Sequence, residues 1–205
     1  FVFMHRALFS QGKNINKPDT IIMRNVLIDI FDQCDVDLVY AGHDHVYYRS
    51  HPVKGDEVVE DVTYVTENYK GEEITFANNP DGTVHILPST AGTKRYGVND
   101  GAIDPIMDCA DVYFTTRSEK DENEVETNPY AGGCFANVEV DGNYLVYRAY
   151  VVNDDTQEVT MVDEYAIKKT VKDGDVEDTK LPTDIFGSID GSVANFFTEI
   201  FGLLI

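Results

Sequence analysis

The chain has 205 residues, of which 42% are hydrophobic and 26% charged, a composition typical of a globular domain and not of a disordered or fibrous protein. Its 37 acidic and 16 basic residues give a formal net charge of -21 at pH 7, which disfavours nucleic acid and anionic membranes as general partners and favours divalent cations. No apolar run is long enough to cross a bilayer, so we predict no transmembrane segment.

The first part of the chain has a strand, helix, strand pattern. The opening run FVFMH predicts a strand, and the polar loop SQGKNINKPDT after it ends in Pro18, Asp19 and Thr20, the last two as possible helix caps. From Thr20 to about Cys34, apolar residues recur three and four positions apart and predict one face of an amphipathic helix. The run VDLVYAG then predicts a buried strand. This order predicts an α/β fold.

The middle of the chain and the segment up to Lys168 predict mainly strands. TVHILPS is a strand candidate, and FANVEV, NYLVYRAYVV and EVTMVDEYAI predict a β-meander from Cys134 to Lys168. Asp141 and Gly142 form the strongest hairpin signal. Because a chain seldom starts inside a buried strand, we expect these residues to be the later part of a longer polypeptide.

Residues 169–182 are charged and poor in large apolar side chains, which predicts a linker. Residues 183–205 carry apolar side chains at helical spacing, so we predict an amphipathic C-terminal helix that docks on the domain or on a neighbour. A membrane-surface helix is the alternative. The main domain is therefore predicted to span residues 1–168.

Three cysteines are too few and too scattered for a disulfide scaffold or a zinc site built on paired cysteines. Cys34 belongs to the helical apolar pattern and is expected to be a core thiol. Cys109 and Cys134 flank a long acidic loop, and a disulfide between them is one alternative if the protein is exported. The other alternative is that both thiols are reduced.

Three histidines stand at the ends of predicted strands. His5 ends the first apolar run, and His43 and His45 follow the second within AGHDHVYYRS. If the helix joins two parallel strands, both carboxyl ends lie on the same edge of the sheet, where ligands of α/β proteins generally bind. Neutral imidazole is a good ligand for zinc, iron or manganese. The alternative is three unrelated histidines that hydrogen-bond to the backbone.

VFMH at residues 2–5 and VDLVYAGHDH at residues 36–45 resemble the last two metal-binding blocks, VxxH and GHxH, of the calcineurin-like metallophosphoesterases. The continuation HVYYRSHPV, the strand GTVHILPSTAG and the terminal meander are similar to the purple acid phosphatase-like branch. The resemblance covers roughly residues 1–168. It implies a mixed α/β (α+β) fold: the C-terminal half of a metallophosphoesterase β-sandwich flanked by helices, with a terminal β-meander.

The resemblance also implies a binuclear metal site that hydrolyses phosphate esters. His5 and His43 would bind one ion and His45 the other, and both ions would be divalent or trivalent, with iron, zinc and manganese as the candidates. No catalytic residue is assigned within this chain. Monoester and diester substrates are not distinguished.

Four neighbouring residues are weaker candidates for roles near the metals. Asp44 is expected to orient the loop or an imidazole without binding metal. Arg6 is placed either to meet a phosphate oxygen or to lie on the surface. Tyr48 and Arg49 are expected either to line the cleft or to pack in the core. Two further histidines, His51 and His85, have no motif support as ligands.

The family's bridging aspartate, second aspartate, asparagine and leaving-group histidine belong to earlier blocks that do not occur in this sequence. Because three imidazoles do not offset the charge of two ions, we expect the chain alone to bind metal weakly and to have little phosphatase activity. The partner expected to complete the site is the N-terminal half of the same protein. A non-catalytic binding or scaffolding module is the main alternative, and a β-domain with coincidental histidines is a third. We expect a secreted or cell-surface location.

Overall fold

The structure is a computed structural model that describes residues 1–99 and 109–170. Within those ranges it contains one α-helix together with β-strands in two large sheets and one small sheet, which confirms the predicted mixed α/β class. In chain order the elements are β1 (Val2–Arg6), α1 (Pro18–Gln33), β2 (Leu38–Gly42), β3 (Tyr47–Ser50), β4 (Val53–Lys54), β5 (Glu57–Val58), β6 (Tyr64–Tyr69), β7 (Glu72–Asn78), β8 (Val84–Pro88), β9 (Ala110–Phe114), β10 (Gly132–Asp141), β11 (Tyr144–Asn153) and β12 (Val159–Lys168).

The first sheet has the strand order β1-β2-β8-β3-β9. β1 pairs with β2 in parallel, with Val2 opposite Val39, so the predicted parallel arrangement of these two strands is confirmed. β8 also runs parallel to β2, whereas β3 is antiparallel to β8 and β9. The carboxyl ends of β1, β2 and β8 therefore lie on one edge of the sheet, and the segments that follow them meet there.

α1 buries Met23, Leu27 and Phe31 of the apolar face that its spacing predicts, and the Phe31 ring lies 6.4 Å from the ring of His85 in β8 of this sheet. Its start differs from the prediction, because Lys17 is the N-cap, without a side-chain cap, and Pro18 opens the first turn. The ring of Pro18 fixes a helical φ, and its missing N–H would have no partner within the helix at this first position. The helix therefore begins before the expected caps.

The second sheet has the order β10-β11-β12-β7-β6 and contains the predicted β-meander. β10 and β11 pair over their whole length, from Gly132 opposite Asn153 to Asp141 opposite Tyr144. Gly142 takes the first position of the two-residue turn with φ of 57°, a left-handed value that favours glycine. The parallel pairing of β12 with β7 was not predicted from the sequence.

The main core lies between the two sheets. Leu38, Tyr47 and Ile86 from the first sheet pack with Tyr147 and Tyr165 from the second. The amphipathic alternation of the meander strands supplies one wall, and the apolar runs of β2 and β8 supply the other.

A charged contact crosses this core. Arg49 of β3 is 5% exposed, and its guanidinium donates two hydrogen bonds to Asp163 of β12, at 2.7 and 3.0 Å. It also pairs with Asp111 of β9. The phenol of Tyr47 donates to the same Asp163 carboxylate at 2.6 Å. The two sheets are thus joined by a buried polar network as well as by apolar packing.

The remaining predictions concern the cysteines and the C-terminal part of the chain. The three cysteines lie in the described ranges and form no disulfide there, and the Cys109 thiol lies 3.4 Å from the carbonyl oxygen of Asp56. The predicted linker from residue 171 onward and the predicted C-terminal helix lie outside the described residues. The helix that is described is too short and too polar to cross a membrane.

Replacing Asp163 with asparagine tests the buried link. Asp163→Asn keeps an acceptor for Tyr47 but leaves Arg49 with Asp111 as its only carboxylate, so we expect the free energy of unfolding to fall by about 3 kcal/mol. Glu164→Gln is the matched control, because Glu164 pairs with Arg148 on the partly exposed outer face, where an ion pair contributes at most about 1 kcal/mol. Chemical denaturation measures both, and equal losses would contradict the buried link.

Candidate metal centre

The three histidines that the sequence singled out lie at the sheet edge formed by the parallel strands. His5 is the penultimate residue of β1, and His43 and His45 lie in the junction between β2 and β3. The loop from β1 to α1 and the loop from β8 to β9 border the same junction, as their hydrogen bonds show. Three connections therefore build one rim around the histidines.

His5 and His43 are in direct contact. His43 Nδ1 lies 3.1 Å from His5 Nε2, and the two rings meet edge to face with centroids 5.0 Å apart. Two nitrogens bound to one tetrahedral zinc at about 2.0–2.1 Å would be about 3.3 Å apart. The pair therefore fits two positions of one metal ion after a small adjustment, and it also fits a single hydrogen bond between neutral rings.

The backbone turns sharply where it carries His43. His43 has φ of 77°, a left-handed value that is costly for a residue with a side chain, and the N–H of Asp44 donates to the carbonyl of Gly42 at 3.0 Å. A Cβ on Gly42 would lie 3.4 Å from the carbonyl oxygen of His5, an ordinary contact distance, so the ends of β1 and β2 lie side by side here. Strain of this kind is concentrated at functional sites.

Electrostatics favour the neutral form of His43. Burial lowers its pKa below the usual value, and the nearby Arg6 guanidinium lowers it further, whereas Asp44 acts in the opposite direction. A neutral imidazole has a free nitrogen lone pair, which is the form that binds a metal ion.

Asp44 holds the loop between β1 and α1. Its carboxylate is buried and accepts hydrogen bonds from the Ser10 hydroxyl, at 3.0 Å, and from the Asn14 amide. The Ser10 oxygen in turn accepts the backbone N–H of Gly12 at 2.8 Å. Of the two roles expected for Asp44, these contacts favour orienting the loop.

His45 has different partners from the other two histidines. Its Nδ1 donates a hydrogen bond to the carbonyl oxygen of Lys94, which leaves Nε2 as the unprotonated nitrogen of the neutral ring. The ring stacks on Tyr96 with centroids 4.7 Å apart and an interplanar angle of 8°. A backbone carbonyl on one ring nitrogen is the usual way in which a metal-binding histidine is oriented.

The other candidate residues take structural positions. Arg6 pairs with Asp19 in the first turn of α1 at 3.1 Å, and the side chain of Tyr48 is fully buried. Arg49 is buried in the network between the sheets. These placements favour packing over cleft lining for Tyr48 and Arg49, and they give Arg6 a carboxylate partner of its own.

The two histidines without motif support have other partners. His51 lies 3.8 Å from a carboxylate oxygen of Asp111. His85 of β8 is 4% exposed and packs against Phe9 with ring centroids 4.4 Å apart. Burial lowers the pKa of His85 to about 3, so it is neutral near pH 7.

Across residues 1–99 and 109–170, no group of three or more histidine, cysteine, aspartate or glutamate side chains is arranged to hold a metal ion. His5 and His43 are therefore in contact without a third such side chain arranged beside them in these ranges. Sequence reasoning missed Lys94 and Tyr96, which fix His45. Their loop lacks a regular apolar period, and the only available signal was a basic and aromatic cluster, TKRY.

Comparison with known proteins gives partial matches. No protein-family model matches the chain. Two uncharacterised proteins of Mycobacterium tuberculosis, from strains CDC 1551 / Oshkosh and H37Rv, are each 34% identical to it over 94 residues, which is 46% of this chain. The match spans 17% of the length of each relative.

Solved structures also resemble the chain in part. Purple acid phosphatase from yellow lupin seeds (Lupinus luteus) aligns with 83% of this chain and 25% of its own, at 14% identity and a TM-score of 0.45. Vacuolar Protein Sorting 29 from Cryptosporidium parvum aligns with 79% of this chain and 49% of its own, at 17% identity and a TM-score of 0.28.

A methyl group on Gly12 tests how Asp44 supports the rim. A Cβ there would lie 2.6 Å from the Cβ of Asp44, so Gly12→Ala forces the loop or the carboxylate to move. We expect a loss of about 1–3 kcal/mol in the free energy of unfolding from this overpacking. Gly97→Ala is the control, because nothing lies within 4 Å of its Cβ position. Denaturation curves that coincide for the two variants would contradict the role of Asp44.

The buried His85 predicts a pH dependence of stability. In the unfolded chain a histidine takes up its proton near pH 6.5, whereas the folded protein resists protonation of His85 down to about pH 3. The stabilisation is therefore complete above pH 6.5 and is lost as the pH falls from 6.5 towards 3. His85→Leu should flatten this part of the stability curve, and His51→Leu should keep it. Denaturation between pH 7 and 4 measures the difference; parallel curves for His85→Leu and the parent would contradict it.

Proposed function

We propose that this chain supplies the histidine side of a binuclear metal site that hydrolyses phosphate esters. His5 and His43 would bind one ion and His45 the other. The observation that carries the proposal is the approach of His5 to His43, at 3.1 Å between ring nitrogens, on the edge where parallel strands end.

The residues of the chain would each perform a defined task in that site. The strained turn at His43 presents its imidazole to His5, and the carbonyl of Lys94 keeps the Nε2 of His45 unprotonated. Iron, zinc or manganese ions, when bound, would act as Lewis acids on a phosphate ester. Asp44 would keep the loop between β1 and α1 beside the site.

A site with two metal ions requires carboxylate ligands. Within the described residues, the named contacts of the three histidines include no carboxylate. Asp44 is engaged by Ser10 and Asn14, and the other named contacts of the three histidines are with each other, Lys94 and Tyr96. Three neutral imidazoles leave the charge of two cations uncompensated. We therefore propose that carboxylate ligands come from an N-terminal half of the same protein. We also propose that the complete protein works outside the cytoplasm.

A non-catalytic binding or scaffolding module is the second candidate. The observation in its favour is that no cluster of three potential ligands occurs across the described parts of the chain. In that case the histidine pair would be held by one hydrogen bond, and the rim would serve to bind a partner.

Metal binding by the chain separates these candidates. We expect weak zinc binding that His5→Ala and His43→Ala each abolish, because each removes one of two ligands, while His51→Ala keeps it. Calorimetric titration and metal analysis after dialysis measure the binding. Unchanged zinc content in His43→Ala would exclude the proposed ligand set.

Activity of the chain alone gives a second test. We expect these 205 residues to hydrolyse little p-nitrophenyl phosphate with zinc, manganese or iron present. The reason is that the described contacts of the three histidines include no carboxylate that would complete the site. Efficient hydrolysis that depends on His43 would show that this chain carries a whole site and would contradict the half-site proposal.

A further inference from the structure

A cavity of about 400 Å³ lies between α1 and the turn that joins β4 to β5. None of the three histidines of the rim lines it, and its volume lies within the range of small-molecule sites. We call it the α1 cavity. Its floor contains the buried or half-buried side chains of Phe9, Arg24 and Ile28, and its mouth contains the exposed side chains of Asn25, Asp29 and Asp56.

The floor of the α1 cavity carries a cation without a carboxylate partner. The Nε of Arg24 donates to the carbonyl oxygen of Leu8 at 2.8 Å, and its Nη2 donates to that of Ile15 at 2.9 Å, which fixes the plane of the guanidinium. Within residues 1–99 and 109–170 it forms no salt bridge, and its Nη1 makes no hydrogen bond. Burial lowers the pKa of Arg24, yet a guanidinium stays charged in proteins. The floor therefore presents a positive charge with a free donor.

The mouth carries two carboxylates that also lack a partner of opposite charge. Asp29 of α1 and Asp56 of the turn are exposed and form no ion pair in the described parts of the chain. Four other arginines do pair with carboxylates, namely Arg6, Arg49, Arg95 and Arg148. The α1 cavity thus combines a positive floor with a negative mouth, and the two charges are not joined to each other.

Two buried polar groups next to the floor lack partners as well. The Phe9 ring packs on His85 with centroids 4.4 Å apart, and the Nδ1 of His85 has no hydrogen bond within the described residues. The hydroxyl of Tyr48 is likewise buried and without a partner there. The charge of Arg24 acts on both groups. Because native proteins satisfy nearly all buried polar groups, this surplus indicates that the surroundings of Arg24 are adapted to a polar ligand.

Apolar side chains of the floor lie beside the guanidinium. The guanidinium carbon of Arg24 lies 5.9 Å from the centroid of the Phe9 ring. Ile28 follows Arg24 by four positions on α1, so both side chains lie on the same face of the helix. A guanidinium matches the planar geometry of a carboxylate. A ligand whose carboxylate meets Arg24 can therefore also place an apolar group against Phe9 and Ile28.

We propose that the α1 cavity binds a free amino acid with an apolar side chain. The carboxylate of the amino acid accepts from Arg24, and its ammonium group lies at Asp29 and Asp56. Its side chain packs on Phe9 and Ile28. A ligand with one charge would satisfy either the floor or the mouth and would meet a like charge at the other, so the cavity selects for a zwitterion.

Three probes that share a phenyl ring separate a site for a zwitterion from a site for a single charge. L-phenylalanine carries both charged groups, 3-phenylpropionate carries the carboxylate alone, and 2-phenylethylamine carries the ammonium alone. Binding to the chain is measured from the NMR shifts of the backbone amides of α1 and of the β4–β5 turn, with EDTA present so that metal-bound probe does not enter. We expect L-phenylalanine to bind at least about tenfold more tightly than either other probe, since a hydrogen bond to a charged group contributes this much to affinity.

The comparison of probes tests the contact with Arg24 without changing a side chain that also holds two backbone carbonyls. A singly charged probe that binds as tightly as L-phenylalanine would exclude selection for a zwitterion. If L-phenylalanine does not bind, or if it shifts amides elsewhere and leaves α1 and the β4–β5 turn unchanged, the site itself is excluded.

A variant of the mouth tests the contact with the ammonium group. Asp29→Asn/Asp56→Asn should bind L-phenylalanine about tenfold more weakly and 3-phenylpropionate at least as tightly as the parent does. The matched control is Asp155→Asn/Glu158→Gln, which removes two exposed carboxylates in the turn between β11 and β12 and should bind L-phenylalanine as the parent does. Equal weakening in both variants, or none in the mouth variant, would contradict the proposed contact.

The outcome is independent of the test of the metal site. His43→Ala removes a proposed metal ligand and should leave the affinity for L-phenylalanine unchanged. Zinc content that is indifferent to His43→Ala would reject the metal site and leave the α1 cavity in place. Zinc binding that depends on His43, together with no selection among the three probes, would do the reverse.

Discussion

The ion pair between Arg49 and Asp163 is the contact on which the arrangement of the two sheets depends. A buried guanidinium that loses its carboxylate costs several kcal/mol, so β3 has to meet β12 in one register. Tyr47 donates to the same carboxylate and strengthens that register. Because Tyr47 follows His45 by two positions, the network that joins the sheets also fixes the end of the histidine junction.

The other end of the junction is fixed by the parallel pairing of β1, β2 and β8. Parallel strands deliver their carboxyl ends to one edge, and three loops meet there as a consequence. Asp44 then holds the first loop through Ser10 and Asn14, while the carbonyl of Lys94 in the last loop holds His45. The left-handed backbone of His43 is tolerated because both flanking elements are fixed independently.

Regular patterns in the sequence predicted the elements, and they did not predict the contacts between loops. The apolar periodicity predicted α1 and the meander, and it predicted that His5 and His43 lie at one edge of the sheet. The strand containing Tyr48 and Arg49 was found, but its environment was not, because β3 is covered on both faces and a short apolar run does not reveal what covers it. Tyr96 was missed since stacking on His45 joins segments that are distant in sequence and follow no period.

The net charge of -21 and the basic residues near the histidine rim act on different length scales. At physiological ionic strength, charges are screened beyond about 8 Å, so the acidic surface weakens the approach of an anion without preventing contact at the rim. Burial lowers the pKa of His43, and the Arg6 guanidinium and the Lys17 ammonium lower it further, so positive charge acts on the rim at short range. Selection for an anion would therefore depend on short-range contacts at the rim.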